Sequence, residues 1–233
     1  MLDERKAVPG LPRISRRNWL AHFTVLASAA LELDGAFAQA AALRRLVLVV
    51  GDSLSAEYGL KRGTGWVALL ERRLAQQKIV ATVVNASISG DTTAGGRSRL
   101  AALLREHRPT HVVLELGAND ALRGLPMDMT RSNLAQMARD CKAAGAKVAI
   151  AGMQVPPNYG RKYSDEFSGL FANVAEAEGA ALVPFLLKGV ADVANAESMF
   201  QPDRIHPVEA AHPVILDNVW PVLKPLLQAT PAK

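Results

Sequence analysis

The chain has 233 residues, 49% hydrophobic and 21% charged, which suits one ordinary globular domain or at most two small ones and excludes a disordered or collagen-like chain. Its formal charge of +5 is spread along the sequence without a long basic run or a basic block interleaved with aromatics, so no nucleic-acid partner is expected. The single cysteine, Cys141, permits no internal disulfide, and with no Cys/His cluster and no H-E-x-x-H pair a bound metal is not expected either.

Residues 1–17 are polar, carry Arg5, Lys6, Arg13, Arg16 and Arg17, and contain Pro9 and Pro12. An apolar stretch follows from Trp19 to Leu33, too short to span a bilayer. Ala36-Phe37-Ala38-Gln39-Ala40 then offers A-x-A cleavage sites after Ala38 or Ala40. This charged, apolar, small-residue order predicts an export signal over residues 1–40, removed to leave residues 41–233 as a single domain in the periplasm or secreted. Ser15-Arg16-Arg17-Asn18-Trp19-Leu20 also resembles a twin-arginine signal, with Trp19 where that pattern favours Phe. No Cys stands at either cleavage site, so no lipid or other stable membrane anchor is expected.

From Arg45 onward, β-branched apolar runs at Leu46–Val50, Ile79–Val84, Val112–Leu116, Val148–Ala151 and Ala181–Pro184 read as strands buried on both faces. Amphipathic helical patterns lie between them: Trp66/Leu69/Leu70/Leu74, Leu100/Leu103/Leu104/His107, Leu134/Met137/Ala138/Cys141 and Phe167/Leu170/Phe171/Val174. Val214/Ile215/Val219/Val222/Leu223 closes the series. This alternation predicts an α/β domain with a parallel sheet and right-handed crossovers. Cys141 shares the apolar stripe of its helix, so a buried, inert thiol is expected. His107 and His111 flank a turn on the side opposite the strand C-termini, where structural or solvated roles are expected.

Function in an open parallel sheet gathers at the carboxyl ends of the strands. Four segments there carry chemistry: Gly51-Asp52-Ser53-Leu54-Ser55, Ser87-Ile88-Ser89-Gly90-Asp91-Thr92, Gly117-Ala118-Asn119-Asp120 and Asp203-Arg204-Ile205-His206-Pro207. A serine hydroxyl needs a base to take its proton during attack, and the base needs a carboxylate to fix its tautomer and stabilise the imidazolium. Ser53, His206 and Asp203 supply these types. The developing oxyanion needs donors, and the Ser53 amide, the Gly90 amide and the Asn119 side chain are available. Gly90 permits a close backbone approach, and neutral Asn119 donates without strongly competing with the nucleophile for His206.

Together, Gly51-Asp52-Ser53-Leu54, Gly90, Gly117-Ala118-Asn119-Asp120 and Asp203-x-x-His206 resemble the four blocks of the SGNH (GDSL) hydrolase family, over residues 45–227. Asn85–Thr92 and Pro157-Asn158-Tyr159-Gly160-Arg161 are similar to its subgroup of exported bacterial arylesterases and multifunctional thioesterase/lysophospholipases. The resemblance implies a three-layer α/β/α flavodoxin-like fold with a five-stranded parallel sheet in the order 2-1-3-4-5. It further implies a monomer acting through an acyl-enzyme, without a cofactor, on small-molecule substrates. These would be aryl and short-to-medium acyl esters, acyl thioesters and lysophospholipids. Two residues depart from the subgroup: Arg204 stands where Gly is usual, adding a cation beside Asp203 and His206, and Ala118 replaces a common Gly next to Asn119.

The loop after the fourth strand, from Met153 through Val155, Pro156, Pro157 and Tyr159 to Arg161, starts at the same sheet edge and is expected to wall the acyl site. A nucleotide-binding module is disfavoured because no G-x-G-x-x-G or G-x-x-x-x-G-K-[ST] loop follows the first strand. The α/β-hydrolase elbow G-x-S-x-G fails at Ser55. A carbohydrate or peptidoglycan O-acetylesterase shares the same catalytic types, and a non-catalytic binding protein is disfavoured because every catalytic position is filled.

Overall fold

A computed structural model describes residues 45–229, apart from the side chain of Pro157; the expected export signal lies outside the described residues. Five parallel strands form the sheet: β1 (Arg45–Gly51), β2 (Ala81–Asn85), β3 (His111–Glu115), β4 (Lys147–Ala151) and β5 (Ala181–Val183), in the order β2-β1-β3-β4-β5. The helices are α1 (Trp66–Gln76), α2 (Thr93–His107), α3 (Ala118–Leu122), α4 (Met127–Ala143), α5 (Arg161–Glu178) and α6 (His212–Gln228). Helices α2, α4 and α5 pack together on one face of the sheet, and α1 and α6 on the other. This is the three-layer α/β/α arrangement that the family resemblance implies, built on the parallel sheet that the alternating pattern predicts.

The central strands explain why the pattern was readable. Val47, Leu48, Val49 and Val50 are all fully buried, with neighbours on both faces, and each such side chain contributes roughly 1.5–3 kcal/mol by leaving water. The second strand starts later than its apolar run suggests. Lys78 has φ 54°, its amide bonds to the Ala75 carbonyl at 3.0 Å, and the Ile79 amide bonds to Leu74 at 2.9 Å. That pair of bonds is a Schellman stop to α1, so Ile79 belongs to the helix end.

Two histidines serve the frame. His212 Nδ1 accepts the backbone N–H of Trp66 at 3.0 Å, satisfying the first donor of α1. His111 Nε2 reaches the Leu226 carbonyl at 3.0 Å, near the end of α6. Arg45 Nε donates to Leu227 O at 2.7 Å, and Lys147 Nζ donates to Leu226 O at 3.1 Å and Ala229 O at 2.9 Å. Side chains from the starts of β1, β3 and β4 therefore satisfy the orphan carbonyls at the end of α6. Cys141 is buried, as expected, and burial pushes its thiol up to about 12, leaving it protonated and inert.

Candidate active site

The chain leaves β1 at Gly51 into one tight turn, in which the Ala56 amide bonds back to Asp52 O at 2.9 Å and the Tyr58 amide to Ser53 O at 3.4 Å. Asp52 Oδ1 caps this turn by accepting the Leu54 amide at 3.0 Å, and half-buried Ser53 stands at its start. Across the sheet edge, Asp203 Oδ1 accepts the amides of Ile205 and His206, both at 3.0 Å, in an Asx turn. Asp203 Oδ2 lies 2.7 Å from His206 Nδ1, and His206 Nε2 lies 2.9 Å from Ser53 Oγ. The His206 amide, the His206 ring and the Ile205 amide hold the Asp203 carboxyl down at about 2, so it remains an acceptor across the working pH range. The Tyr58 ring lies over His206 with centroids 4.2 Å apart, tilted by 33°.

The oxyanion candidates are tied to the same edge. The segment after β2 stays against β1, with the Ile88 amide bonded to Gly51 O at 3.0 Å, and Gly90 turns there with φ +78°, a conformation that side chains disfavour. Arg123 Nη2 donates to the Gly90 carbonyl at 2.6 Å. Asn119, at the start of α3, donates from Nδ2 to Asp52 Oδ2 at 3.0 Å. Its neighbour Asp120 turns inward and accepts the Thr93 amide at 2.9 Å and the Thr130 hydroxyl at 3.2 Å, anchoring α3 to α2 and α4. Beneath the turn, fully buried Glu115 accepts the Ser55 hydroxyl at 2.6 Å and the Asp52 amide at 3.2 Å through Oε2. Its Oε1 has no hydrogen-bond partner among the described residues. Burial pushes Asp52 up to about 6, and burial together with the Asp52 charge pushes Glu115 well above the carboxylate range.

The sequence model of the GDSL-like lipase/acylhydrolase family matches residues 49–214. The chain belongs to this family. It is 55% identical to the esterase TesA of Pseudomonas aeruginosa over 189 residues, covering 81% of this chain and 92% of that one. With the thioesterase 1/protease 1/lysophospholipase L1 of Escherichia coli K12 it shares 40% identity over 187 residues, 80% of this chain and 87% of the relative. The crystal structure of TesA superimposes with a TM-score of 0.75 at 54% identity, over 78% of this chain and 99% of that one.

Within this GDSL-family site Ser53, His206 and Asp203 form one hydrogen-bonded chain; beside it, Asn119 is bonded to Asp52 just past β1, and Gly90 lies in the segment whose Ile88 amide bonds to Gly51. Other expectations are corrected. Met153, two residues past the end of β4, is packed into the core and only 3% exposed, so it presents almost no surface to an open acyl groove. Val155 and Tyr159 are half-buried and Pro156 is exposed. Pro157 begins a single 3-10 turn that ends at Tyr159. Tyr159 starts an aromatic ladder, 5.6 Å from Tyr163, which lies 6.2 Å from Phe167, itself 5.2 Å from Phe171. Arg204 does not stand over the Asp203/His206 pair: its guanidinium lies 3.6 Å from Glu197 on an exposed surface. Its φ of 57° explains why Gly is usual at this position.

Sequence reading did not single out Tyr58, Arg123 or Glu115, and it treated Asp52 only as part of a motif. The Glu115 carboxyl at the end of an otherwise apolar strand was the one visible signal.

Proposed function

We propose that the chain hydrolyses carboxylic esters and thioesters through an acyl-enzyme on Ser53. The observation that carries this reading is the continuous chain from Ser53 Oγ through His206 to Asp203, at 2.9 Å and 2.7 Å. His206 Nε2 takes the Ser53 proton as Oγ attacks the acyl carbon, and Asp203 holds the opposite ring N–H and balances the imidazolium. The carbonyl electron pair moves onto oxygen, where the Ser53 and Gly90 amides and the Asn119 carboxamide donate to it. His206 then passes its proton to the departing alcohol or thiol, and water repeats the sequence to release the acid.

Small-molecule aryl esters, short-to-medium acyl esters, acyl thioesters and lysophospholipids are the substrates the family relationship supports. Val155, Pro156 and Tyr159, on the loop that follows β4, are the residues expected to contact the acyl group. The charged, apolar and small-residue order of residues 1–40 supports export to the periplasm, and the mature protein works as a monomer without a membrane anchor. Fractionation of wild-type cells should find the protein outside the cytoplasm, with Arg16→Lys plus Arg17→Lys blocking export if the twin-arginine route is used.

The deciding experiment compares the wild type with Ser53→Ala on an aryl acetate, an aryl octanoate, an acyl thioester and an acetylated sugar. Wild type should turn over the aryl esters and the thioester and be labelled by a fluorophosphonate, while Ser53→Ala should do neither and melt at a similar temperature. Retained turnover in the variant would sink the assignment of the nucleophile, and activity confined to the acetylated sugar would replace the substrate class.

A further inference from the structure

Two carboxyl groups lie buried beneath Ser53 and take no part in the proton relay. Asp52 is 1% exposed and Glu115 is fully covered, so neither can exchange its partners for water. The two oxygens of Asp52 have separate duties. Oδ1 accepts the amide of Leu54, the residue directly after Ser53, at 3.0 Å. Oδ2 accepts Nδ2 of Asn119 at 3.0 Å.

An ionised carboxylate offers acceptors only, so it can bind the NH2 end of a carboxamide and not the oxygen end. Turning Asn119 over would press its Oδ1 against Asp52 Oδ2, two acceptors facing each other beside a carboxylate that is only 1% exposed, which is costlier than the bond that exists. With one N–H of Nδ2 committed to Asp52, the second is left for a developing oxyanion. The same carboxylate grips the peptide after Ser53, so it also sets how far the nucleophile stands from that N–H. Glu115 supports this from below, accepting the Asp52 amide at 3.2 Å and the hydroxyl of Ser55, which in turn accepts the Trp66 indole N–H at 3.2 Å.

We propose that Asp52 is a positioning residue for the reaction: its carboxylate fixes the Asn119 carboxamide with N–H toward the oxyanion and locks its distance from Ser53. This deepens the reading of Ser53 as nucleophile and rests on it.

Asp52→Asn is the sharpest test. The new amide oxygen can still accept the Leu54 N–H, which leaves its NH2 facing Asn119 and drives that side chain to turn its own oxygen inward. The expected result is a fall in kcat on the order of 10- to 100-fold, with KM of an aryl ester changed only a few-fold, because an oxyanion donor acts in the transition state. The loss should nearly vanish when Asp52→Asn is made in an Asn119→Ala background, since the donor it misaligns is already gone. Asp52→Ser, whose hydroxyl can cap Leu54 but is too short to hold Asn119, should show the same non-additivity and covers the case that the first variant folds poorly. An unchanged kcat, an equal loss in the Asn119→Ala background, or failure of both variants to fold would each overturn the proposal. Ser53→Ala separates the two readings: if it is inactive while the cycle is additive, only Asp52 loses its role, and if it retains turnover the nucleophile itself is misassigned.

Discussion

In the proposed mechanism neutral Asn119 stabilises negative charge on an intermediate without drawing the Ser53 proton toward itself beforehand. Asn119→Ala should therefore cost about 100- to 1000-fold in kcat with a smaller change in KM; a pure KM effect would make it a residue that holds substrate instead. That Ser53, His206, Asp203, Gly90 and Asn119 meet at one sheet edge was legible in the sequence, because the chemistry proposed for them dictates residue type and strand ends dictate place. The contacts of Asp52, Glu115 and Tyr58 were not, since they come from burial or stacking against partners more than 60 positions away, as for Asp52 and Asn119, or Tyr58 and His206. Met153 failed for a related reason. An apolar residue following a strand carries no mark of whether it faces a groove or the core.

Single residues also decide how elements end. Arg204 holds a left-handed conformation inside the Asx turn that presents His206, and its exposed contact with Glu197 at 3.6 Å contributes little. Arg204→Gly relieves backbone strain of about 1–2 kcal/mol and loses roughly 0.4–1 kcal/mol to the freer unfolded chain. Denaturant unfolding should show a small net gain in stability, and a clear loss would mean that the guanidinium contact matters more than the backbone. Gly152 is set by space. A Cβ there would sit 2.4 Å from the backbone oxygen of Pro184, just where β4 and β5 leave the sheet together, so Gly152→Ala should destabilise by about 1–3 kcal/mol through a backbone shift. An unchanged midpoint would show that this edge can spread freely. The strands and main helices were legible because their periodicity is local. The true start of β2 was not, because Lys78 adopts the conformation usually left to Gly at a helix stop.

Over the whole molecule, buried histidines and buried acids pull stability in opposite directions with pH. Burial lowers His212 and His111 below their ordinary 6.5, so as pH falls from that value the unfolded chain takes up their protons first and stability drops. Asp52 is raised from 3.8 to about 6, so the folded state holds its proton more tightly and its contribution is lost as pH rises through that window. Melting temperature followed from pH 7 to pH 5 should fall less steeply in a His212→Asn variant than in the wild type, whatever its value at pH 7; parallel curves would mean that His212 titrates normally in the folded state. The bonds from Arg45, His111 and Lys147 to the end of α6 carry a different implication. Arg45 opens the first strand and Leu227 nearly closes the last helix, yet they are joined at 2.7 Å. The domain is thus a nearly closed loop of chain, and its order of synthesis is separable from its architecture. A short Gly/Ser joint from Ala229 to Arg45, with new termini opened at Gly145, where no atom lies within 4 Å of an added Cβ, should yield a circular permutant that folds and keeps its serine reactive, because every strand end that builds the site would remain uncut.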